Sequence, residues 1–294
     1  MDLSYKIKKS LPMRVLIACE EFQAVCNEMR RLGHICFSAD IQECSGGHPE
    51  WHIMDDVLPI INGDCEFTTM DDKVHRINGE RDLLIAHPPC TYISNAGACR
   101  LYPRKGEIDV NRYEKGIKAK RFFMKFLDAK CKRIVVENPL PSRVFELPKA
   151  SQVIQPYEMY GKKHPYTKKT LLWIRGELDL LVPVEPVDPI GPYCPAGTSR
   201  KDRSKYGSAK RGDDRKNRSK TFPGIARAFA EQWAGDARWF WEEMDMNEEL
   251  FIEAEKMLLD REGYCKNGCD NCKIKELGGF CAKERLEEWR DALK

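Results

Sequence analysis

Asp82-Leu83-Leu84-Ile85-Ala86-His87-Pro88-Pro89-Cys90 is a run of apolar residues closed by two prolines. Such a run reads as a buried strand of a parallel sheet. Proline offers no N–H to the ladder and fixes φ, so the strand must end at Pro88. The Cys90 thiol is thereby delivered to the carboxyl end of a central strand, where open α/β sheets place their chemistry. Arg133-Ile134-Val135-Val136-Glu137-Asn138-Pro139 repeats the pattern and brings Glu137 to the same edge. A thiol nucleophile and an acid on neighbouring strand ends can add to a ring carbon while protonating a ring nitrogen.

Toward the N-terminus, residues 13–19 (MRVLIAC) read as a first buried strand. Glu21 to Leu32 reads as a helix with Phe22, Val25, Met29 and Leu32 on one face, stopped by Gly33 in a left-handed conformation. Ile35 to Ala39 is a second strand ending at Asp40. This strand–helix–strand unit opens a doubly wound sheet, and Asp40 stands where such sheets put an acid on a ribose hydroxyl, the plainer alternative being a helix-capping or surface aspartate. Residues 62–80 are polar and poorly periodic, and read as a surface loop or short helix. His48 and His52, with Cys44 nearby, have a metal-like spacing, but the surrounding glycines and proline argue against a helical ligand face. Tyr113 to Ala129 reads as an amphipathic helix with Ile117, Phe122, Phe123 and Phe126 inward.

The chain has 294 residues, 42% of them hydrophobic, enough for one α/β domain and a small appendage. Its net charge of +3 argues neither for nor against a polyanionic partner. Thirteen cysteines, an odd number and mostly scattered, do not form a secreted disulfide framework. The run from Val15 to Cys19 is too short for a signal peptide or a membrane span. A soluble, cytoplasmic protein with no membrane partner is expected.

Pro88-Pro89-Cys90 with Ser94, followed by Glu137-Asn138-Pro139, resembles two signature motifs of the cytosine-5 DNA methyltransferases. The resemblance implies that Cys90 attacks cytosine C6 while Glu137 holds N3, and that the cofactor is S-adenosyl-L-methionine. The segment Cys19-Glu20-Glu21-Phe22-Gln23-Ala24 stands where the family has a glycine-rich turn, yet contains no glycine. On the resemblance, Cys19, Glu20, Phe22, Asp40 and Pro88 line the cofactor site. Glu20 would face the cofactor's amino group and the following helix N-terminus its carboxylate. Either Asp55 or Asp56 matches the acid that contacts adenine. Thr91 to Lys115 matches a loop that closes over the substrate, with Ser94 and Arg100 toward the nucleic acid. Residues 155–174 resemble the family's eighth motif, where an arginine contacts cytosine O2. Here Lys169 is the nearer candidate, with Lys168 beside it, and lysine is a less directional donor. His87 and Lys169 are also candidates for lowering the Cys90 pKa. Thr221 to Trp233 resembles the last motif, a turn and helix returning to the cofactor side.

Prolines recur from Glu177 to Tyr193 and suggest an extended connector. It opens into the most basic segment, which includes Arg200, Lys201, Arg203, Lys205, Lys210 and Arg211, a candidate phosphate-tracking loop where the family has its target-recognition region. Trp241 to Leu259 reads as an acidic amphipathic helix. After it, Cys265-x3-Cys269-x2-Cys272-x8-Cys281 matches a small structural Zn2+ site, the alternative being unligated cysteines. The expected architecture is an α/β, doubly wound Rossmann-like methyltransferase sheet with helices on both faces and a cysteine-rich zinc appendage. Residues 1–176 and 216–240 would form the catalytic domain, 177–215 the basic insertion and 241–294 the appendage. The expected function is DNA cytosine-5 methyltransferase. The alternatives are a cytosine-5 modifier with another cofactor or an RNA or nucleotide substrate, and a catalytically silent nucleic-acid-binding protein.

Overall fold

The computed structural model describes residues 6–193, 220–243 and 248–260, together with Cys272, Ile274, Cys281, Glu287 and Glu288. The fold is mixed α/β around a seven-stranded, mostly parallel sheet. Its strands are β1 (Arg14–Ala18), β2 (Ile35–Asp40), β3 (His52–Met54), β6 (Leu83–Ala86), β7 (Ile134–Pro139), β8 (Gln152–Ile154) and β10 (Thr170–Arg175), in the order β3-β2-β1-β6-β7-β10-β8. That order is compatible with a doubly wound sheet. β1 pairs parallel with β2, and β2 with β3, while β10 runs antiparallel to both β7 and β8.

The described chain divides into two compact units. One holds residues 6–84, 130–132, 230–243 and 248–260, and the other holds residues 85–129, 133–193 and 220–229. The division falls inside the stretch expected to form one catalytic domain.

In the first unit, β1 is buried throughout and α1 (Ala24–Arg31) covers the sheet with Val25, Cys26 and Met29. Gly33 has φ +83°, as the helix stop requires. Residues 62–80 form an antiparallel hairpin instead of a loop or helix, β4 (Cys65–Thr68) with β5 (Val74–Ile77). Phe67 supplies the reason: it points inward, edge-on to Phe37 with ring centroids 5.0 Å apart, and so anchors a strand too short to show periodicity. The segment expected as one helix from Trp241 holds α5 (Arg238–Glu243) and α6 (Glu248–Leu259), and residues 244–247 between them lie outside the described residues.

In the second unit, α2 is Ala98–Leu101, α3 is Val110–Leu127, and α4 is Pro223–Phe229. Asp109 caps α3, its carboxylate accepting from the Arg112 N–H at 2.8 Å. Two short strands, β9 (Tyr166–Thr167) and β11 (Gly191–Pro192), pair parallel, so the proline-rich connector is partly held in place. Phe123 and Phe126 are buried as expected, but the helix also buries Gly116. No helix among the described residues is long and apolar enough to cross a membrane.

Gly116 gives a test of this packing. A Cβ there would lie 2.2 Å from the Phe145 ring. Gly116→Ala gains about 1 kcal/mol of helix propensity, yet overpacking of this kind costs about 1–3 kcal/mol. The clash with a buried ring should win. Urea denaturation is expected to show a lower midpoint for Gly116→Ala, and a raised midpoint would mean that the helix is not seated on Phe145.

Candidate active site

Pro88, Pro89 and Pro139 bring no N–H to the sheet, so the ladder between the two segments is interrupted here and resumes beyond it, where Ser94 bridges Pro141. Side chains span the gap. In the second unit the His87 Nδ1 lies 3.0 Å from Glu137 Oε2, and the Asn138 side-chain amide donates to the Pro88 carbonyl at 2.9 Å. Both contacts join residues 50 apart in sequence. In the first unit, the same separation links Arg81 and Cys131 in a parallel bridge. One constant offset means that the segments carrying β6 and β7 run parallel and in step from before the strands to beyond their ends.

The turn after Cys90 is bound to the same segment. The Cys90 carbonyl accepts from the Ile93 and Ser94 N–H groups, at 3.2 and 2.9 Å. The Asn95 N–H donates to the Leu140 carbonyl at 2.8 Å, and the Ser142 N–H to the Ile93 carbonyl at 2.7 Å. A half-buried Cys90, a mostly buried Glu137 and a buried Ser94 therefore share one end of this unit. Lys169 joins them through the sheet register: Thr170 stands opposite Pro139, so β10 begins where β7 ends. Lys169 is exposed there, while the Lys168 amine lies 5.2 Å from the Phe222 ring centre. Arg100 is exposed on α2. The Arg112 guanidinium from α3 donates to the Thr91 carbonyl at 2.7 Å and so supports the loop that follows Cys90.

The sequence offers His87 as a source of positive charge for Cys90. Its hydrogen-bonded neighbour in this end of the unit is Glu137. Neither that pairing nor the Asn138 tether is evident from the sequence pattern. The available signals are a polar residue directly before two prolines and the asparagine of Glu-Asn-Pro.

The first unit carries the proposed cofactor residues. Cys19 and Gln23 adopt φ +60° and +57°, so non-glycine residues make the left-handed bends of the glycine-free turn. The Glu20 carboxylate accepts from the Val25 and Cys26 N–H groups at 2.7 and 3.2 Å. The chain's own carboxylate thus caps the start of α1, with Glu20 only 5% exposed. Gln23 holds the 43–48 loop through both ends of its amide, accepting from the His48 N–H at 3.1 Å and donating to the His48 carbonyl at 2.8 Å. Gly46 permits this approach, because a Cβ would lie 2.5 Å from the carbonyl oxygen of the half-buried Phe22.

Asp40 ends β2, and its Oδ1 accepts from the Gln42 N–H at 3.0 Å. Asp55 and Asp56 follow β3 and are exposed. Burial, followed by the Asp40 and Asp56 carboxylates, pushes the Cys19 thiol far above its ordinary range. Cys19, Asp40 and Asp56 thus converge electrostatically. Ile41 and Met54, 80% and 50% exposed, put apolar surface beside these acids. Pro88 belongs to the second unit, where it is buried and holds Asn138.

His52 is not placed as a metal ligand: its ring nitrogens face Ser38 Oγ at 2.8 Å and the Gln42 carbonyl at 2.9 Å. Among the described residues no group of three or more histidine, cysteine or acidic side chains is arranged to hold a metal ion. Cys272 and Cys281 are half-buried, while Cys265 and Cys269 lie outside the described residues. So do Arg200, Lys201, Arg203, Lys205, Lys210 and Arg211. A cleft of about 1080 Å³ in the first unit is lined by Arg30, Trp51, His75, Trp241 and Phe251, and includes none of the expected site residues.

Neither protein-family models nor characterised proteins give a match to this chain. The geometry and the resemblance of its motifs carry the functional argument.

The buried His52 and the half-buried His75 and His164 predict a pH response. Burial is the first cause that lowers the pKa of His52, His75 and His164. For His164 the neighbouring Lys163 acts in the same direction. The folded chain keeps these rings neutral at a pH where the unfolded chain protonates them, so the unfolded state binds more protons. Their contribution to stability is full above the ordinary histidine value of 6.5 and is lost as the pH falls below it. Urea midpoints should drop between about pH 7.5 and pH 5.5, and drop less in His52→Gln. A midpoint that holds steady over this range would rule out the neutral, buried arrangement.

Proposed function

We propose that the chain is a cytosine-5 methyltransferase acting on DNA, on a Rossmann-like methyltransferase fold. The observation that carries this reading is the pair of contacts, 3.0 Å and 2.9 Å, that locks the Cys90 segment to Glu137 and Asn138. It supplies the thiol and the acid that the chemistry needs, at one end of one unit.

The target base would be turned out of the duplex, because its C6 is unreachable in the stack. Cys90 Sγ bonds to C6 as a thiolate, and the C5–C6 double bond gives its electron pair to the ring. Glu137 donates a proton to N3, so the electron density gathers at C5. S-adenosyl-L-methionine, when bound, supplies the methyl group for C5. Water then takes the C5 proton, the C5–C6 double bond re-forms, Cys90 leaves as the thiolate, and N3 returns its proton to Glu137. Lys169 is the candidate donor to cytosine O2, and Ser94, Arg100 and Lys168, with the basic 199–220 segment, are the candidate contacts to the nucleic acid.

The first unit fits the ribose and adenine parts of this cofactor. Asp40 is the candidate for the ribose hydroxyls and Asp55 or Asp56 for the adenine amino group, with exposed Ile41 and Met54 as apolar surface. At the start of α1 the Val25 and Cys26 N–H groups, which would meet the cofactor's carboxylate, are already taken by Glu20. That observation favours a second reading, a cytosine-5 modifier with a different cofactor. In the C-terminal segment, the cysteine spacing supports one structural zinc ion held by Cys265, Cys269, Cys272 and Cys281.

Expression in a bacterial host without cytosine methylation, followed by mass spectrometry of the DNA nucleosides, tests the first reading. 5-Methylcytosine is expected with the native chain and only background with Cys90→Ser. Glu137→Gln should lower the rate on the order of 100-fold or more. Methylation that survives Cys90→Ser overturns the mechanism. A different C5 substituent in the same digest selects the second reading.

A further inference from the structure

We propose that His87 is a positioning residue that holds the Glu137 carboxyl group and meets the negative charge that forms on it, an assignment that rests on the cytosine-5 reading. His87 Nδ1 stands 3.0 Å from Glu137 Oε2, and the two side chains are only 10% and 18% exposed. The imidazole cannot drift from this place easily. It follows directly on β6, and the next residue, Pro88, is fixed by its ring and held through its carbonyl by Asn138.

The chemistry needs two different things from one carboxyl group. Before attack, Glu137 must carry a proton to give to N3. After attack, it must bear a negative charge with little water around it, which is costly unless a donor meets that charge. His87 meets the second need, and orients the group for the first, when its Nδ1–H donates to Oε2. The proton of Glu137 is then left on Oε1, facing the base. As Cys90 Sγ bonds to C6, the ring's electron pair takes that proton onto N3, and Glu137 becomes a carboxylate. Nδ1–H is already in place on Oε2 to hold the new charge, so nothing has to reorganise. When the double bond re-forms, N3 returns the proton to Oε1. No proton is gained or lost by His87 in the cycle.

Exchange of the cytosine C5 hydrogen tests this step without methyl transfer. The substrate is duplex DNA made with [5-3H]dCTP, so that every cytosine carries the label, and the readout is tritium released to water by the full chain. His87→Ala should slow release at saturating DNA on the order of 100-fold, with unchanged affinity for the same DNA. His87→Asn, whose side-chain N–H can take the place of Nδ1–H, should recover release to within about 10-fold of the native rate. Thermal melting of each variant separates this from a folding defect. If His87→Ala does not fold, His87→Asn decides alone, and a folded His87→Asn as inactive as Cys90→Ser overturns the assignment. Native release from His87→Ala also overturns it and leaves the cytosine-5 reading standing. No release and no 5-methylcytosine from the native chain bring down that reading itself, and the assignment with it.

Discussion

Two strand ends joined by side chains hold the candidate site together. Prolines remove the N–H groups that would continue the ladder beyond β6 and β7. His87 and Asn138 replace them, at the same 50-residue offset that the backbone keeps before the strands begin. The result is an edge where the two segments stay aligned past the last residue of β6, while β7 still pairs with β10 as far as Pro139. That matters chemically, because a thiol on one turn and a carboxyl group on another must keep their relation to within a fraction of an ångström to act on one ring. The further bonds from Asn95 to Leu140 and from Ser142 to Ile93 extend the same constraint around Cys90.

The turn after β1 solves a different problem. Glycine usually supplies left-handed bends where a chain must turn sharply next to a nucleotide. Here Cys19 and Gln23 adopt them instead, at a cost of roughly 1–2 kcal/mol for each residue. The Gln23 amide, bonded twice to His48, and the Glu20 carboxylate on α1 offset that strain with hydrogen bonds. The turn is therefore well supported but differently equipped. It presents acids and a protonated thiol, and the chain's own carboxylate already occupies N–H groups at its helix end.

The parts of the fold that were legible in sequence are those governed by local pattern. The apolar runs ending at Pro88 and Pro139, the Gly33 stop and the Phe123–Phe126 helix face follow from periodicity and from the backbone limits of proline and glycine. The hairpin at Cys65–Ile77 was not legible, because Phe67 and His75 hold it through contacts with the distant Phe37 rather than through any repeat along the chain. Gly116 gave no signal either, since its role is to make room for the distant Phe145.

The amino-acid sequence by itself determined where the strands stop and which chemical groups, Cys90 and Glu137, arrive at their ends. Those facts depend only on neighbouring residues and on covalent geometry. Tertiary structure alone decided that His87 faces Glu137 and that Glu20 turns back onto α1. The first contact spans 50 residues and depends on how two strands align in the sheet. The second depends on a local choice between a ligand and the chain's own N–H groups, which composition and spacing leave open.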